Sequence, residues 1–504
     1  KEPEPPIDLI ISGGQVIDGT GSAPFPADIG IHDGRIVAIG DLGRRSATER
    51  IDASGLVVSP GFIDLHTHCE RDLLKFPDIQ NYTRQGVTTV VGGNCGGSPY
   101  PIGEYLDQAE AKGIAVNLAL LVGHNTVRRE VMGTQNRYSR PDELARMQEL
   151  VDRAMQEGAF GLSTGLLYIP GAYSDTREVV ALAEVAARHG GFYATHMRNE
   201  GLKLVEGMTE ALNVGREAGL PVHISHHKAV GKSMWGSSEK TLAMVDAAVA
   251  EGLDVTLDQY PYTASSTGLT VLFPAWSLEG GREEILKRLN DPDMRESIKE
   301  AIVRGIVFDR GGDDPASIVV ASFESDKSLE GKNLAEITEL YGKEPNSENA
   351  ADTLIELFEK GDGTGIYHCI DEGDVERIMK HPLVMCASDG ATREFGVSKP
   401  HPRNYGTYPR VLGEYVREKR ILSLSGAIRK MTSLPAKRLG LTDRGILKEG
   451  AWADIVLFNP RTVIDTATWL EPHQYPKGMP YLIVNGTVVI KENEWTGTFP
   501  GKVL

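Results

Sequence analysis

From Asp8 to about Gly61, apolar and polar residues alternate in short runs broken by glycine: DLIISGGQVID, ADIGIHDGRIVAIG and ERIDASGLVVSPG. A period of two marks half-buried strands, and the glycines supply their turns. Text of the same kind returns near the other end in GAWADIVLFNP and YLIVNGTVVIKENEW. The pattern predicts one small β-sandwich built from residues 1–61 and 440–504, in which the two ends of the chain meet.

Between these segments strands alternate with helices. Eight apolar runs each lead into polar residues: FIDLHTH, VTTVVGGNCG, VNLALLVGHN, FGLSTGL, GFYATHMR, PVHISHHK, DVTLDQYPY and LVMCASDG. The helices between them carry the usual signals. SRPDELARMQELVDRAMQEG has Ser139 and Pro141 at its start, a stripe of Leu144, Met147, Val151 and Met155, and Gly158 at its end. Eight such units predict an α/β fold, a (β/α)8 TIM barrel over residues 62–281 and 351–439, with reactive residues at the carboxyl ends of its strands. One interval breaks the rhythm: a βαβ unit takes roughly 30 residues, yet the seventh and eighth strands are separated by about Ser265 to Pro382. Helix-like REEILKRLNDPDMRESIKEAIVRG and strand-like SIVVASF fall inside it, so residues 282–350 are expected to form an insertion near the barrel mouth.

Composition narrows the function. The 53 basic and 70 acidic residues leave a formal charge of −17, which repels a phosphate backbone and argues against nucleic-acid partners. No window approaches the roughly 18 to 20 uninterrupted apolar residues of a membrane helix. Four cysteines, Cys69, Cys95, Cys369 and Cys386, are too few for a disulfide framework and leave a metal or catalytic role open. The chain opens Lys-Glu-Pro-Glu-Pro-Pro without a methionine, which reads as a short tether. A removed export signal with a periplasmic location is one expectation, and a cytoplasmic location is the other.

The chemistry gathers at the strand ends. His66 and His68 share a face by strand alternation and could chelate one cation. Alone, such a pair is as readily a surface feature. Cys95 sits in Gly-Gly-Asn-Cys-Gly-Gly, where glycines let a thiolate approach an ion and the thiolate suits zinc; by itself it reads as a small core residue. His196 and His226 end the fifth and sixth strands. Four histidines and a cysteine on one rim point to a metal centre with Zn2+ as the expected ion. By alternation, His223 and His227 should face away from the barrel axis. His124 ends the third strand and could touch substrate or cap a loop, while the six remaining histidines carry no positional signal.

At these residues the sequence resembles the amidohydrolase superfamily and, within it, the D-aminoacylases or N-acyl-D-amino-acid deacylases. PGFIDLHTH carries the superfamily likeness, and GNCG, STGLLY, THMRNE, ISHHK, QYPY and ASDG carry that of the branch. Other branches bridge two metals through a carboxylated lysine on the fourth strand; here that strand reads GLSTGL, without lysine. The resemblance implies a tight zinc site at Cys95, His196 and His226, and a second possible site at His66 and His68 sharing Cys95. It implies Asp389 as the acid/base and Tyr168 as the group that polarises the scissile carbonyl. A free α-carboxylate on the small-molecule substrate would be held by Arg403 and Lys228, with Tyr260 and Ser266 as further candidates. The implied reaction is hydrolysis of the amide of an N-acyl-D-amino acid, or of a dipeptide with a D residue at its carboxyl end. A cyclic-amide hydrolase of the hydantoinase or dihydroorotase type and a catalytically silent binding protein of the same fold are the alternatives.

Overall fold

The computed structural model describes residues 6–504; the Pro-rich opening read as a tether lies largely outside the described residues. The barrel strands are β1 (Phe62–Asp64), β2 (Val87–Gly92), β3 (Asn117–Leu120, continued by Val122–Gly123), β4 (Gly161–Gly165), β5 (Phe192–His196), β6 (Val222–Ile224), β7 (Val255–Gln259) and β8 (Val384–Cys386). All eight predicted runs hold one of them. Neighbouring strands pair in parallel. A parallel bridge between Thr67 and Gly390 closes the ring of β1 and β8.

These strands are short, apolar and buried on both faces, as a covered parallel sheet requires. Ile63, Leu65, Val91, Ala119, Leu121, Phe192, Ala194 and Met385 fill the barrel interior. The surrounding helices bury the other faces. Helix Pro141–Gln156 turns Met147, Val151 and Met155 inward along the predicted stripe, joined by Leu150 and Ala154. Its amino end differs from the expectation at Ser139: Arg140 is the cap residue, and its N–H donates to the Glu143 carboxylate at 2.9 Å. No helix among the described residues is long and apolar enough to cross a membrane.

Strands from the two chain ends pair in one sheet. Val57–Pro60 pairs antiparallel with Ile455–Phe458 inside a seven-stranded sheet, and Leu9–Ser12 is central to a four-stranded one. Ile11, Ile31, Val58, Ile455 and Ile483 pack between the two sheets. Two boundaries differ from the sequence reading. The last residues leave these sheets: Leu118 N donates to Lys502 O and Leu504 N to Leu118 O, both at 2.9 Å. They lie beside the first half of β3 because β4 pairs only with its second half, which leaves backbone groups there to satisfy.

The insertion is also wider than 282–350. Its own antiparallel sheet consists of Ser265–Gly268, Gly363–Tyr367 and Ile318–Phe323, and Ser265 pairs with Tyr367 at its base. The strands Ser265–Gly268 and Gly363–Tyr367, the second of them central to the sheet, are not evident in the sequence because SSTG and GTGIY are too short and polar to read as strands. Helices Arg282–Asn290 and Pro292–Phe308 split at Asp291, whose carboxylate caps the second. The insertion supplies Ser265, Thr267, Arg310 and Thr364 to the wall of the cavity over the barrel.

Candidate active site

Three side chains at the barrel mouth are aimed by unusual backbone. Cys95, His226 and Asp389 follow β2, β6 and β8 with φ of 53°, 36° and 49°, in the left-handed region that non-glycine residues seldom enter. Such strain persists only where the surroundings enforce it. Around Cys95 they do: a Cβ on Gly96 would stand 2.5 Å from Asn125 Oδ1 and 2.7 Å from Gly165 N, so the loop can press onto β4 only as glycine. On β6 the turn at His226 breaks the alternation. His223, expected on the outward set, instead points inward and meets Asp258 at 2.7 Å. His227 does face a surrounding helix, with Nε2 2.8 Å from Thr241 Oγ1, and burial first and the Lys228 charge next push it down to about 3.

The turns bring together two donor sets that share one thiolate. Cys95, His196 and His226 form the first; His66, His68, Cys95 and Asp389 form the second, and within each set the ligand atoms lie within 4.8 Å of one another. Cys95 Sγ is 3.3 Å from His66 Nε2 and 3.6 Å from His226 Nε2. Both ring nitrogens of His196 and Nδ1 of His68 are buried without a hydrogen-bond partner. Orphaned imidazoles facing a thiolate and a carboxylate fit a divalent ion of the zinc type. Burial raises the Cys95 thiol, but the charges of His66 and His226 outweigh it and hold it well below its ordinary value.

Beneath the donors two carboxylates fix the imidazoles. Asp258 accepts from His66 Nδ1 at 3.0 Å, His223 Nε2 at 2.7 Å and the backbone N–H of His226 at 2.7 Å. That leaves Nε2 of His66 facing Cys95. Glu200 lies 3.0 Å from His226 Nδ1 and pairs with Lys228 at 2.7 Å and Arg310 at 2.9 Å. Burial raises its carboxyl, yet His196, Lys228 and His226 together hold it well below the usual range. Lys228, expected to grip a substrate carboxylate, instead donates to Glu200 and to the His226 carbonyl, both at 2.7 Å. A buried ammonium two residues from His226 and beside a buried carboxylate takes the ion pair.

The remaining expected residues stand around the donors. Asp389 meets Arg403 at 2.9 Å, His68 at 3.1 Å and His66 at 3.3 Å. Burial raises its carboxyl, but Arg403 and His66 pull it well below the usual range. The Tyr168 ring packs 4.7 Å from that of His196, and its hydroxyl accepts from Thr267 at 3.0 Å. Arg403 lies over the Tyr260 ring at 4.8 Å and donates to Ser266 O at 3.3 Å. Apart from His66, which lies underneath, every expected site residue lines one cavity of about 440 Å³. His124 does not: it is bonded to Glu178 at 2.8 Å, away from the cavity.

Sequence reading missed Glu200, Asp258 and Arg310. The first two stood inside the quoted THMRNE and DQYPY stretches, where a carboxylate beside strand-end histidines is itself a signal; Arg310 offered none. Replacing Glu200 with Gln is expected to weaken metal binding by about 10- to 100-fold, the usual effect of losing an outer partner of a ligand. It also leaves Lys228 and Arg310 buried without their acid, a loss of about 3–5 kcal/mol. Metal titration and thermal unfolding read the two effects; wild-type values in both would remove Glu200 from this role.

The geometry has close parallels. The amidohydrolase family model matches residues 49–300 and 322–490. A D-aminoacylase of Alcaligenes xylosoxydans xylosoxydans is 39% identical over 99% of this chain and 98% of its own length. An N-acyl-D-glutamate deacylase of the same organism is 36% identical over 99% and 96%. A crystal structure of N-acyl-D-glutamate deacylase from Bordetella bronchiseptica, complexed with zinc and a phosphonate mimic of the tetrahedral intermediate, superposes with a TM-score of 0.84 at 35% identity, covering 99% of this chain and all of that one. A D-hydantoinase, at 16% identity and a TM-score of 0.57, shares the fold alone. The chain therefore belongs to the amidohydrolase family and, within it, to the D-aminoacylases.

Proposed function

We propose that this protein is a metal-dependent deacylase that hydrolyses the amide of N-acyl-D-amino acids, releasing a carboxylate and a free D-amino acid. The observation that carries the reading is the pair of donor sets joined at Cys95 beneath a cavity where Asp389 and Arg403 meet at 2.9 Å. Zinc is the ion the thiolate and imidazole donors favour. It would sit with Cys95, His196 and His226, and the set of His66, His68, Cys95 and Asp389 is a second position. When bound there, the ion supplies a Lewis acid to the scissile carbonyl and to the attacking water.

The chain's own groups do the rest. Asp389 takes a proton from the attacking water and passes it to the departing nitrogen, which needs a positioned carboxylate at hydrogen-bond range. Tyr168 directs its hydroxyl proton at the carbonyl oxygen as charge gathers there. Burial keeps that phenol protonated, its acidity lowered well beyond the ordinary value. Arg403 grips the α-carboxylate with its planar guanidinium, helped by Tyr260 and Ser266 along the same wall. Glu200 and Lys228 hold His226 in place. No carboxylated lysine bridges this site, because β4 reads GLSTG, and that separates the reading from a cyclic-amide hydrolase.

Handedness follows from three fixed points. With the carbonyl held at Tyr168, the nitrogen beside Asp389 and the carboxylate on Arg403, the α-hydrogen and the side chain cannot trade places. The D direction comes from the relatives. A turnover screen of N-acetyl and N-formyl amino acids in both series is expected to favour D by at least about 10²-fold, since each 1.36 kcal/mol is about tenfold in rate. Arg403→Ala should lower kcat/KM for the D substrate far more than for an analogue without the carboxylate. Equal rates for D and L forms throughout, or preference for an uncharged cyclic amide, would overturn the proposal.

A further inference from the structure

Among the apolar side chains that fill the barrel runs a line of polar ones. Arg438, at the end of helix Ser433–Arg438, pairs with Asp254 at 2.7 Å just ahead of β7, and its Nε donates to Thr256 Oγ1 at 2.8 Å. His223 Nδ1 lies 2.8 Å from the same hydroxyl, and His223 Nε2 lies 2.7 Å from Asp258. Asp258 then takes His66 Nδ1 at 3.0 Å. The line starts at the amino end of the barrel, where Asp254 is exposed, and ends on a metal donor at the carboxyl end. Thr256, His223 and Asp258 are buried, and Thr256 and Asp258 share one face of β7. Buried polar groups cost free energy unless each is bonded, so packing by itself would favour apolar residues here, like Phe192 beside His223.

The two kinds of end fix where the protons lie. A guanidinium only donates, so Thr256 Oγ1 accepts from Arg438 and its own proton is free for His223 Nδ1. Asp258 has donors on it from His66, His223 and the His226 N–H, and as a carboxylate it only accepts. The His223 proton therefore sits on Nε2. Burial above all, with the Arg438 charge behind it, holds the ring below its ordinary value against the pull of Asp258, which leaves Nδ1 bare for the threonine proton. The same carboxylate draws the His66 proton to Nδ1 and leaves His66 Nε2 open toward Cys95. Every bond in the line runs in a sense consistent with the next.

We infer that His223, Thr256 and Arg438 are positioning residues of the metal centre, which orient Asp258 and through it set the tautomer of His66 and the left-handed turn at His226. Without the Nε2–H of His223, Asp258 is free to rotate, and it no longer holds His66 Nδ1 and the His226 N–H together. The inference rests on the metal-dependent reading above and is independent of the substrate.

The test is the zinc affinity of the full-length protein, measured by competition with a chelator, for His223→Gln, His223→Asn and His223→Phe. Gln can place its amide nitrogen where Nε2 stands, Asn only where Nδ1 stands, and Phe keeps the ring without a donor. His223→Phe and His223→Asn are expected to lose about 10- to 100-fold in zinc affinity, as ligands do when an outer partner is removed, and His223→Gln should recover most of it. A role in packing alone predicts the reverse order, with Phe binding zinc as the parent protein does; that result, or equal loss in all three, overturns the inference. Thr256→Val keeps the shape and breaks the line below His223; it should cost about tenfold, the low end of the same range, and serves if the His223 variants do not fold. An unchanged affinity in a folded Thr256→Val protein counts against the line. In the zinc-loaded parent protein labelled with 15N-histidine, the ring resonances that vanish in His223→Gln should report a neutral ring with its proton on Nε2. A proton on Nδ1, or on both nitrogens, overturns the inference. A parent protein that binds no zinc overturns the metal-dependent reading, and the positioning role falls with it.

Discussion

Asp389→Asn is expected to lower turnover by at least about 10³-fold while metal stays with Cys95, His196 and His226. Proton transfer by a positioned carboxylate is worth about 10²- to 10⁴-fold. Asn removes more than that function. Asp389 also balances the Arg403 charge at 2.9 Å and meets His68 at 3.1 Å. The neutral amide keeps the shape, but it can neither take the proton nor hold that guanidinium, so the substrate's carboxylate is gripped in an altered position. Asp389 is no member of the donor set of Cys95, His196 and His226, so the metal content of dialysed protein should fall by no more than the share bound at the second set. Turnover near that of the parent enzyme would refute the assignment. Loss of all metal along with activity would instead make Asp389 a ligand first.

Cys95→Ala should be the most damaging change to metal binding, because Cys95 is the donor common to both sets. Losing an outer partner of a ligand lowers affinity by about 10- to 100-fold; losing the shared thiolate should exceed that, and activity should fall with bound metal. The fold should survive. Ala keeps the Cβ, and the left-handed turn is held by Gly96 packed against Asn125 and Gly165 rather than by the sulfur. Circular dichroism and thermal unfolding check that the protein is folded before metal is measured. A folded variant with undiminished metal would show Cys95 to be only a packing residue of its loop.

How much was legible depended on how far along the chain the cause of each feature lies. The stripe of Met147, Val151 and Met155 and the alternation in ADIGIHDGRIVAIG are local consequences of period, so helix and strand could be read directly. HTH, GNCG and ASDG announced themselves because each sits on a strand end, where the barrel topology alone gathers side chains on one rim. Tightly local exceptions misled the reading. His223 was expected to face outward, and only the positive φ at His226 reverses that; nothing in ISHHK reveals the turn. The insertion was cut too short at both ends because its first and last strands along the chain are defined by mutual pairing, Ser265 with Tyr367, and not by hydrophobicity.

The sequence by itself determined the barrel, the strand-like text of the two chain ends, the candidate donor residues and the lack of a lysine on β4. Each of these is written in spacing or residue type over a few neighbouring positions. Only the tertiary structure decided the charge balance around them. Lys228 looked like a free cation until Glu200 was found at 2.7 Å, and Arg310, about a hundred residues further on, came to rest against the same carboxylate. Whether a charged side chain is neutralised or left open to a ligand depends on what stands within a few ångströms of its tip. That is a property of contacts between distant segments, which no local pattern encodes.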